Sequence, residues 1–85
     1  MFEYDISDKL IKKLKKLSKK DKALVLNFYK KLKEIISHNR DTIVVYKNLK
    51  SPMQYLKRIH LTDNYILSFI VDLEQNHVVF MDILH

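Results

Sequence analysis

The chain has 85 residues and a mass of 10.3 kDa, enough for one small domain over residues 1–85 with a thin core. Chains this short bury little more than about 60% of their unfolded surface. At 47% hydrophobic and 31% charged residues the composition is that of a folded protein. The absence of cysteine excludes disulfides, thiolate metal sites and cysteine nucleophiles, and the absence of glycine excludes a Gly-rich phosphate loop. The start, MFEYDIS, has neither the apolar core of a signal peptide nor the Arg-rich character of a transit segment, and no apolar run approaches the roughly 18–20 residues of a membrane span. A soluble, cytoplasmic protein with no membrane partner is expected.

The formal net charge is +6, which favours a polyanionic partner over a neutral metabolite. It is unevenly placed: 12 basic and 6 acidic residues precede Thr42, against 4 and 4 from Thr42 onward. The first half therefore carries the whole excess, as either a solvated Lys-rich helical face or a nucleic-acid contact.

Along the chain, Phe2, Tyr4 and Ile6 alternate with polar residues and predict a short first strand. Ser7 then reads as a helix N-cap with Asp8 in the first turn. Leu10, Ile11, Leu14 and Leu17 form an apolar stripe with Lys12, Lys13, Lys15 and Lys16 around it. Ser18, followed by Asp21, resembles a second cap, and Val25, Phe28, Tyr29, Leu32 and Ile36 make a second stripe. These segments predict a helical hairpin. The run Ser37–Asp41 ends it. A β-branched and aromatic stretch, Thr42–Tyr46, and a loop through Pro52 follow. Three strand-like runs then cover about 54–61, 65–72 and 77–84. Short separators make these runs an antiparallel meander, and without glycine Asn64 and Asn76 are the residues best able to take positive φ in its turns. A sheet this small must pack on the hairpin. The expected fold is α+β: a short N-terminal strand, a helical hairpin, then a three-stranded meander packed on the helices.

Period-two alternation sets Tyr65, Leu67, Phe69 and Val71 toward the core and Ile66, Ser68 and Ile70 away from it. In the last run Phe80, Asp82 and Leu84 alternate with Val79, Met81 and Ile83. If Ile59 and Leu61 join the core, Arg58 and His60 share the opposite, accessible face. The four histidines have no local metal-ligand spacing, so no metal is expected. Asp63 and Asp82 could bracket a substrate, but nothing singles them out, and Asp82 reads better as a solvated surface residue. Basic residues interleaved with aromatics at Tyr46-Lys47 and Tyr55-Leu56-Lys57-Arg58 suit RNA, with cations on phosphate and rings free to stack.

The order of these elements, with LIKKLKKLSKKDKALVL in the hairpin, resembles the RelE/ParE superfamily of type II toxins. Within it, the stretch from Lys47 to Phe69 is most similar to the YafQ-like messenger-RNA interferases. Those toxins carry a leucine, then eleven residues later a histidine opening His-Ile-x-Pro-Asp-Trp-Leu-Leu-Ile-Tyr. Here Leu49 precedes His60 in HLTDNYILSF, with Tyr65 at the tryptophan position and Phe69 at the tyrosine position. A Gly-Ser-His-type element ends the family's last strand, and Ile83-Leu84-His85 supplies its histidine. The departures are specific. The family aspartate aligns with Asn64, beside Asp63; an upstream family histidine falls on Lys47; and the arginine of RelE-like members is Ile66. Family members usually continue several residues beyond the position of His85, with an aromatic that stacks on the cut nucleotide, so the resemblance implies a shortened chain or a diminished activity here.

The resemblance implies a toxin of a type II toxin–antitoxin pair, a metal-independent, cofactor-free endoribonuclease that cleaves messenger RNA in the ribosomal A site. Its implied partners are the cognate antitoxin, the ribosome and messenger RNA, with operator DNA reached only through the antitoxin. His60 and His85 would be the acid and base, both projecting from the face opposite the apolar set. Histidine suits both roles because its ordinary pKa is near neutrality. Arg58 would contact phosphate, with Lys47, Lys50 and Lys57 supplementing it, and Asp63 or Asn64 would orient His60 or the 2′-OH. Two other readings are a ParE-like gyrase inhibitor and a non-catalytic member that binds only antitoxin and operator DNA.

Overall fold

Two side-chain acceptors set the helical hairpin. In the computed structural model, which describes all residues 1–85, the Ser7 hydroxyl accepts a hydrogen bond from Leu10 N–H (3.1 Å) at the start of α1 (Asp8–Lys20), and the Asp21 carboxylate accepts one from Leu24 N–H (3.1 Å) at the start of α2 (Lys22–Ile36). Each satisfies a backbone donor that has no partner within its helix. The second cap is thus Asp21 itself, not Ser18, which lies inside the last turn of α1 and donates to the Lys15 carbonyl (2.8 Å). Asp21 serves both helices: its N–H closes α1 on the Leu17 carbonyl (2.7 Å), while its side chain opens α2. One non-helical residue replaces the glycine that commonly ends a helix.

β1 (Glu3–Ile6), β2 (Lys57–His60), β3 (Ile66–Asp72) and β4 (His77–Leu84) form one sheet in the order β1-β4-β3-β2. β2, β3 and β4 are the expected antiparallel meander, and β1 joins it parallel to β4 at the far edge. β2 begins only at Lys57, because residues 51–55 turn around the single proline. Thr42–Tyr46 forms no strand. A 3-10 turn at Ile43–Val45 carries the chain back under the sheet, burying Ile43 and Tyr46 and leaving Val44 and Val45 exposed. Of the two turn asparagines, Asn76 takes positive φ (51°) and Asn64 does not; the longer β2–β3 connection turns without a left-handed residue.

One layer of helix covers one face of the sheet. Leu10 and Leu14 of α1, and Leu24, Phe28, Leu32 and Ile35 of α2, pack on Leu67, Phe69, Val78, Phe80 and Ile83. Phe28 and Phe69 both meet Phe80, with ring centroids 6.0 Å apart in each pair. The α2 stripe is rotated from the expected one: Leu24 and Ile35 are buried, while Tyr29 stays exposed, as does Ile11 of α1. Leu17, Val25 and Ile36 are partly buried at its margins, as are Tyr65 and Val71.

The C-terminal half of β4 departs from simple alternation. Ser68 pairs with Asp82 but Phe69 pairs with Phe80, so Met81 is an extra residue in a β-bulge. Phe80 and Ile83 both reach the core, and Asp82 is turned to the face away from the helices. One expectation fails for this reason: Asp82 is not a solvated residue, being 8% exposed. Ser68 faces away from the helices as expected, and it is buried there.

Leu67 lies at the centre of the core and is wholly buried. Leu67→Ala is expected to cost about 2–5 kcal/mol, a large share of the stability of a small domain. Denaturant unfolding of the two proteins measures the difference.

Candidate functional site

The face of the sheet turned away from the helices is where chemistry-bearing side chains gather. Directly opposite residues on antiparallel strands point to the same face. Arg58 of β2 stands opposite Ser68 of β3, and Ser68 opposite Asp82 of β4, giving one transverse row. The next row is His60, Ile66 and Leu84. Met53, Tyr55 and Leu56 form a wall on one side, Lys9 of α1 on the other, and Ser68, Met81, Asp82 and Leu84 lie between them as the floor of a shallow groove.

Both sides of the groove have a structural cause. Residues 47–56 fold back along the outer edge of β2: Arg58 N–H donates to the Lys47 carbonyl (2.8 Å), Leu49 N–H to the Leu56 carbonyl (2.8 Å), and Asn48 bridges to Lys57. This covers an edge that would otherwise expose unpaired backbone groups. On the other side β1 pairs only as far as Phe80, and α1 takes over. Ser7 N–H donates to the Phe80 carbonyl (2.9 Å), the Ser7 hydroxyl to the Met81 carbonyl (2.6 Å), and Lys13 Nζ to the Ile83 carbonyl (2.8 Å).

Asp82 ties this side together. Lys13 Nζ approaches its Oδ1 at 2.6 Å, Lys9 Nζ its Oδ2 at 3.2 Å, and Ile83 N–H donates to Oδ1 at 2.8 Å. Burial pushes the Asp82 carboxyl up, but the hydrogen bonds from Lys13, Lys9 and Ile83 N–H outweigh it, and its pKa lies below the ordinary carboxylate value. The Ser68 hydroxyl donates to the Asp82 carbonyl (3.3 Å), so no buried side-chain polar atom in the row lacks a partner.

The residues singled out from the sequence fall into three groups. Arg58 and His60 share the open face, His60 exposed at the end of β2. Asp63 and Asn64 lie exposed in the turn just beyond it, and Lys47 and Lys50 are exposed on the segment flanking β2. Lys57 and His85 are elsewhere. Lys57 stands opposite Phe69 on the helix side, its Nζ donating to the Tyr46 carbonyl (3.1 Å) and Asn48 Oδ1 (3.2 Å). The bulge sends His85 to the same side, where its ring meets that of Tyr65 edge to face at 5.1 Å. The shared face expected for His60 and His85 is not formed, because one extra residue in β4 reverses the direction of everything after it. Lys9, Lys13 and Ser68 were missed, and Asp82 was set aside as a solvated surface residue. Strict alternation placed the Asp82 carboxylate with Phe80 on one face, and that conflict was the available sign of a bulge.

No family model matches the chain. A Methanocaldococcus jannaschii protein assigned as toxin RelE4 is 38% identical over 85 residues, covering all of this chain and 86% of that protein. The chain belongs to the RelE superfamily of type II toxins. An uncharacterized protein of Methanosarcina mazei is 35% identical over the same length. In three dimensions the RelE-family chain superposes on a chain of the YoeB–YefM complex from Staphylococcus aureus with a TM-score of 0.77 at 18% identity, covering 100% of this chain and 97% of that one. It superposes on a chain of the Escherichia coli RelBE toxin–antitoxin complex with a TM-score of 0.73 at 21% identity, covering 98% and 94%. These solved structures share its fold. No helix of the RelE-family chain is long and apolar enough to cross a membrane.

Because the folded pKa of Asp82 is depressed, its contribution to stability is present above the unfolded value of 3.8 and is lost as pH falls through the lower folded value. Asp82→Asn is expected to lower stability at neutral pH by about 1.5–3 kcal/mol, the worth of hydrogen bonds to a charged group. It should also remove part of the acid sensitivity. Thermal unfolding between pH 2 and 7 measures both effects.

Proposed function

We propose that this chain is the toxin of a toxin–antitoxin pair and an endoribonuclease that cuts messenger RNA on the ribosome. Its membership of the RelE superfamily carries this reading, and the open face gives it a place to act. Arg58 and His60, two residues apart on β2, present a permanent cation and an imidazole on the same accessible surface. In the proposed reaction His60 takes the proton from a ribose 2′-OH. The oxygen attacks the adjacent phosphorus as the bond to the 5′ oxygen breaks, leaving a 2′,3′-cyclic phosphate and a 5′-hydroxyl. Arg58 binds the non-bridging oxygens, whose charge grows in the transition state. The leaving oxygen draws its proton from solvent on this open face, since His85 lies on the other side of the sheet against Tyr65. Asp63 or Asn64, in the turn after His60, orients the imidazole or the 2′-OH.

Lys47 and Lys50, exposed beside β2, add phosphate contacts, whereas Lys57 has its ammonium engaged by Tyr46 and Asn48. Two of the structural relatives are chains of the YoeB–YefM complex and the RelBE toxin–antitoxin complex. By extension, the partner proposed here is an antitoxin, acidic enough to complement the net charge of +6 and to associate quickly. Operator DNA would be reached through it.

Primer extension on messenger RNA bound to ribosomes, with the purified chain added, tests the reading. His60→Ala is expected to slow single-turnover cleavage by about 10²–10⁴-fold while leaving ribosome binding nearly intact, as for a lost proton-transfer group. Arg58→Ala should weaken both, more so at higher salt. Cleavage by His60→Ala at the wild-type rate overturns the histidine assignment; inhibition of DNA supercoiling without any cut in RNA overturns the ribonuclease.

A further inference from the structure

The cations that meet Asp82 are not equivalent. Lys13 commits two donors, one to Asp82 Oδ1 (2.6 Å) and one to the Ile83 carbonyl (2.8 Å), and so fastens α1 to the C-terminal end of β4. Lys9 makes a single contact, to Oδ2 at 3.2 Å, and its side chain is 73% exposed. An exposed ion pair of this kind contributes little to stability, and the helix is already fastened by Ser7 and Lys13. What the contact does is hold an ammonium with unused donors at the rim of the groove, beside the Asp82 end of the transverse row whose other end is Arg58.

We propose that Lys9 is a second phosphate-binding cation of this site, aimed by Asp82 as a positioning residue, so that an RNA backbone lying on the open face is held between Lys9 and Arg58. The inference rests on the RNA reading given above and assigns it a substrate contact from α1, the helix, rather than from the β2 flank. The row Arg58–Ser68–Asp82 spans two strand spacings, about 10 Å, a width that a long side chain at each end can close over a phosphodiester. The carboxylate does not repel that anion, because two ammonium groups outnumber it. Lys12 and Lys16 continue the positive surface along α1 from Lys9 and Lys13, giving the strand a direction of exit. A guanidinium and an ammonium on opposite sides of one phosphate stabilise the charge that builds on its oxygens during the 2′-OH attack.

The test uses a single-stranded RNA oligonucleotide with methylated 2′-hydroxyls, which binds but cannot be cut, followed by fluorescence anisotropy over a range of salt. Lys9→Ala should weaken binding and lower the slope of log K against log salt by about 0.7, the loss of one phosphate contact on a single strand. Lys9→Arg should restore it. Lys30→Ala, removing an exposed lysine of α2 on the helix-covered side, should leave the slope unchanged. With cleavable message on ribosomes, Lys9→Ala should cut more slowly by about 10²-fold, with its thermal unfolding unaltered. Wild-type binding and cleavage by Lys9→Ala, or an equal loss from Lys30→Ala, overturns the proposal. A wild-type chain that never cuts RNA but shows the Lys9-dependent slope refutes the nuclease and leaves the Lys9 contact standing.

Discussion

The extra residue at Met81 is the constraint on which the rest of the molecule depends. A strand with strict alternation cannot put both Phe80 and Ile83 into the core, yet both are buried there. The bulge reconciles them, and its consequences spread in three directions. It turns Asp82 to the open face, where a carboxylate can be met by cations. It leaves the Met81 carbonyl for the Ser7 hydroxyl, which caps α1 with the same oxygen. It also sends His85 to the helix side, away from His60. A single register shift thereby couples the start of the first helix to the end of the last strand, residues 74 apart in sequence.

A four-stranded sheet has two edges, and the two are treated differently. β2 is covered by the chain's own residues 47–56, which also supply the aromatic and apolar wall of the groove. At the other side, β1 is too short to cover all of β4, and the remainder is closed by the first turns of α1 through Ser7 and Lys13. The walls of the groove are thus by-products of covering strand edges. The same economy explains Leu56, which is buried at 7% exposure yet lies outside the main core cluster. It shields the open face beside Ser68 and not the helix interface.

Most of the fold was legible because it follows from patterns that a sequence carries locally. Lysine-flanked leucines at helical spacing, the cap at Ser7, and the alternation in Tyr65–Val71 each encode one element or its buried side. What was not legible is what depends on pairing. The Thr42–Tyr46 stretch has the composition of a strand, but no partner edge is free for it, since residues 47–56 occupy that side of β2; tertiary context overrides propensity there. Arg58 and His60 followed from Ile59 and Leu61 being apolar. Lys9 did not, because nothing in α1 says that one of its lysines reaches a carboxylate 73 residues later. The bulge left a trace only as a conflict, a charged residue alternating with Phe80, and such a conflict shows that something breaks the period without saying where.

The distribution of charge now has a structural meaning. Residues from Thr42 onward are balanced in sign, and their charges are partly consumed in holding the sheet together: Lys57 folds onto the Tyr46 carbonyl, and Asp82 is neutralised from α1. The excess of the first half is spent differently. Of its lysines, Lys13 is the one most engaged in structure, while Lys9, Lys12 and Lys16 line a continuous surface beside it. The chain thus builds the floor of its groove from the electrically balanced half and lends it a field from the basic half. That division avoids the desolvation cost of burying unpaired cations in the floor itself, because the lysines keep their stems on α1 and their charged ends in water. A polyanion approaching the open face meets cations from two elements far apart in sequence, Arg58 on an edge strand and Lys9 on the first helix, set on one face of the sheet at the two ends of the row that the bulge completes with Asp82.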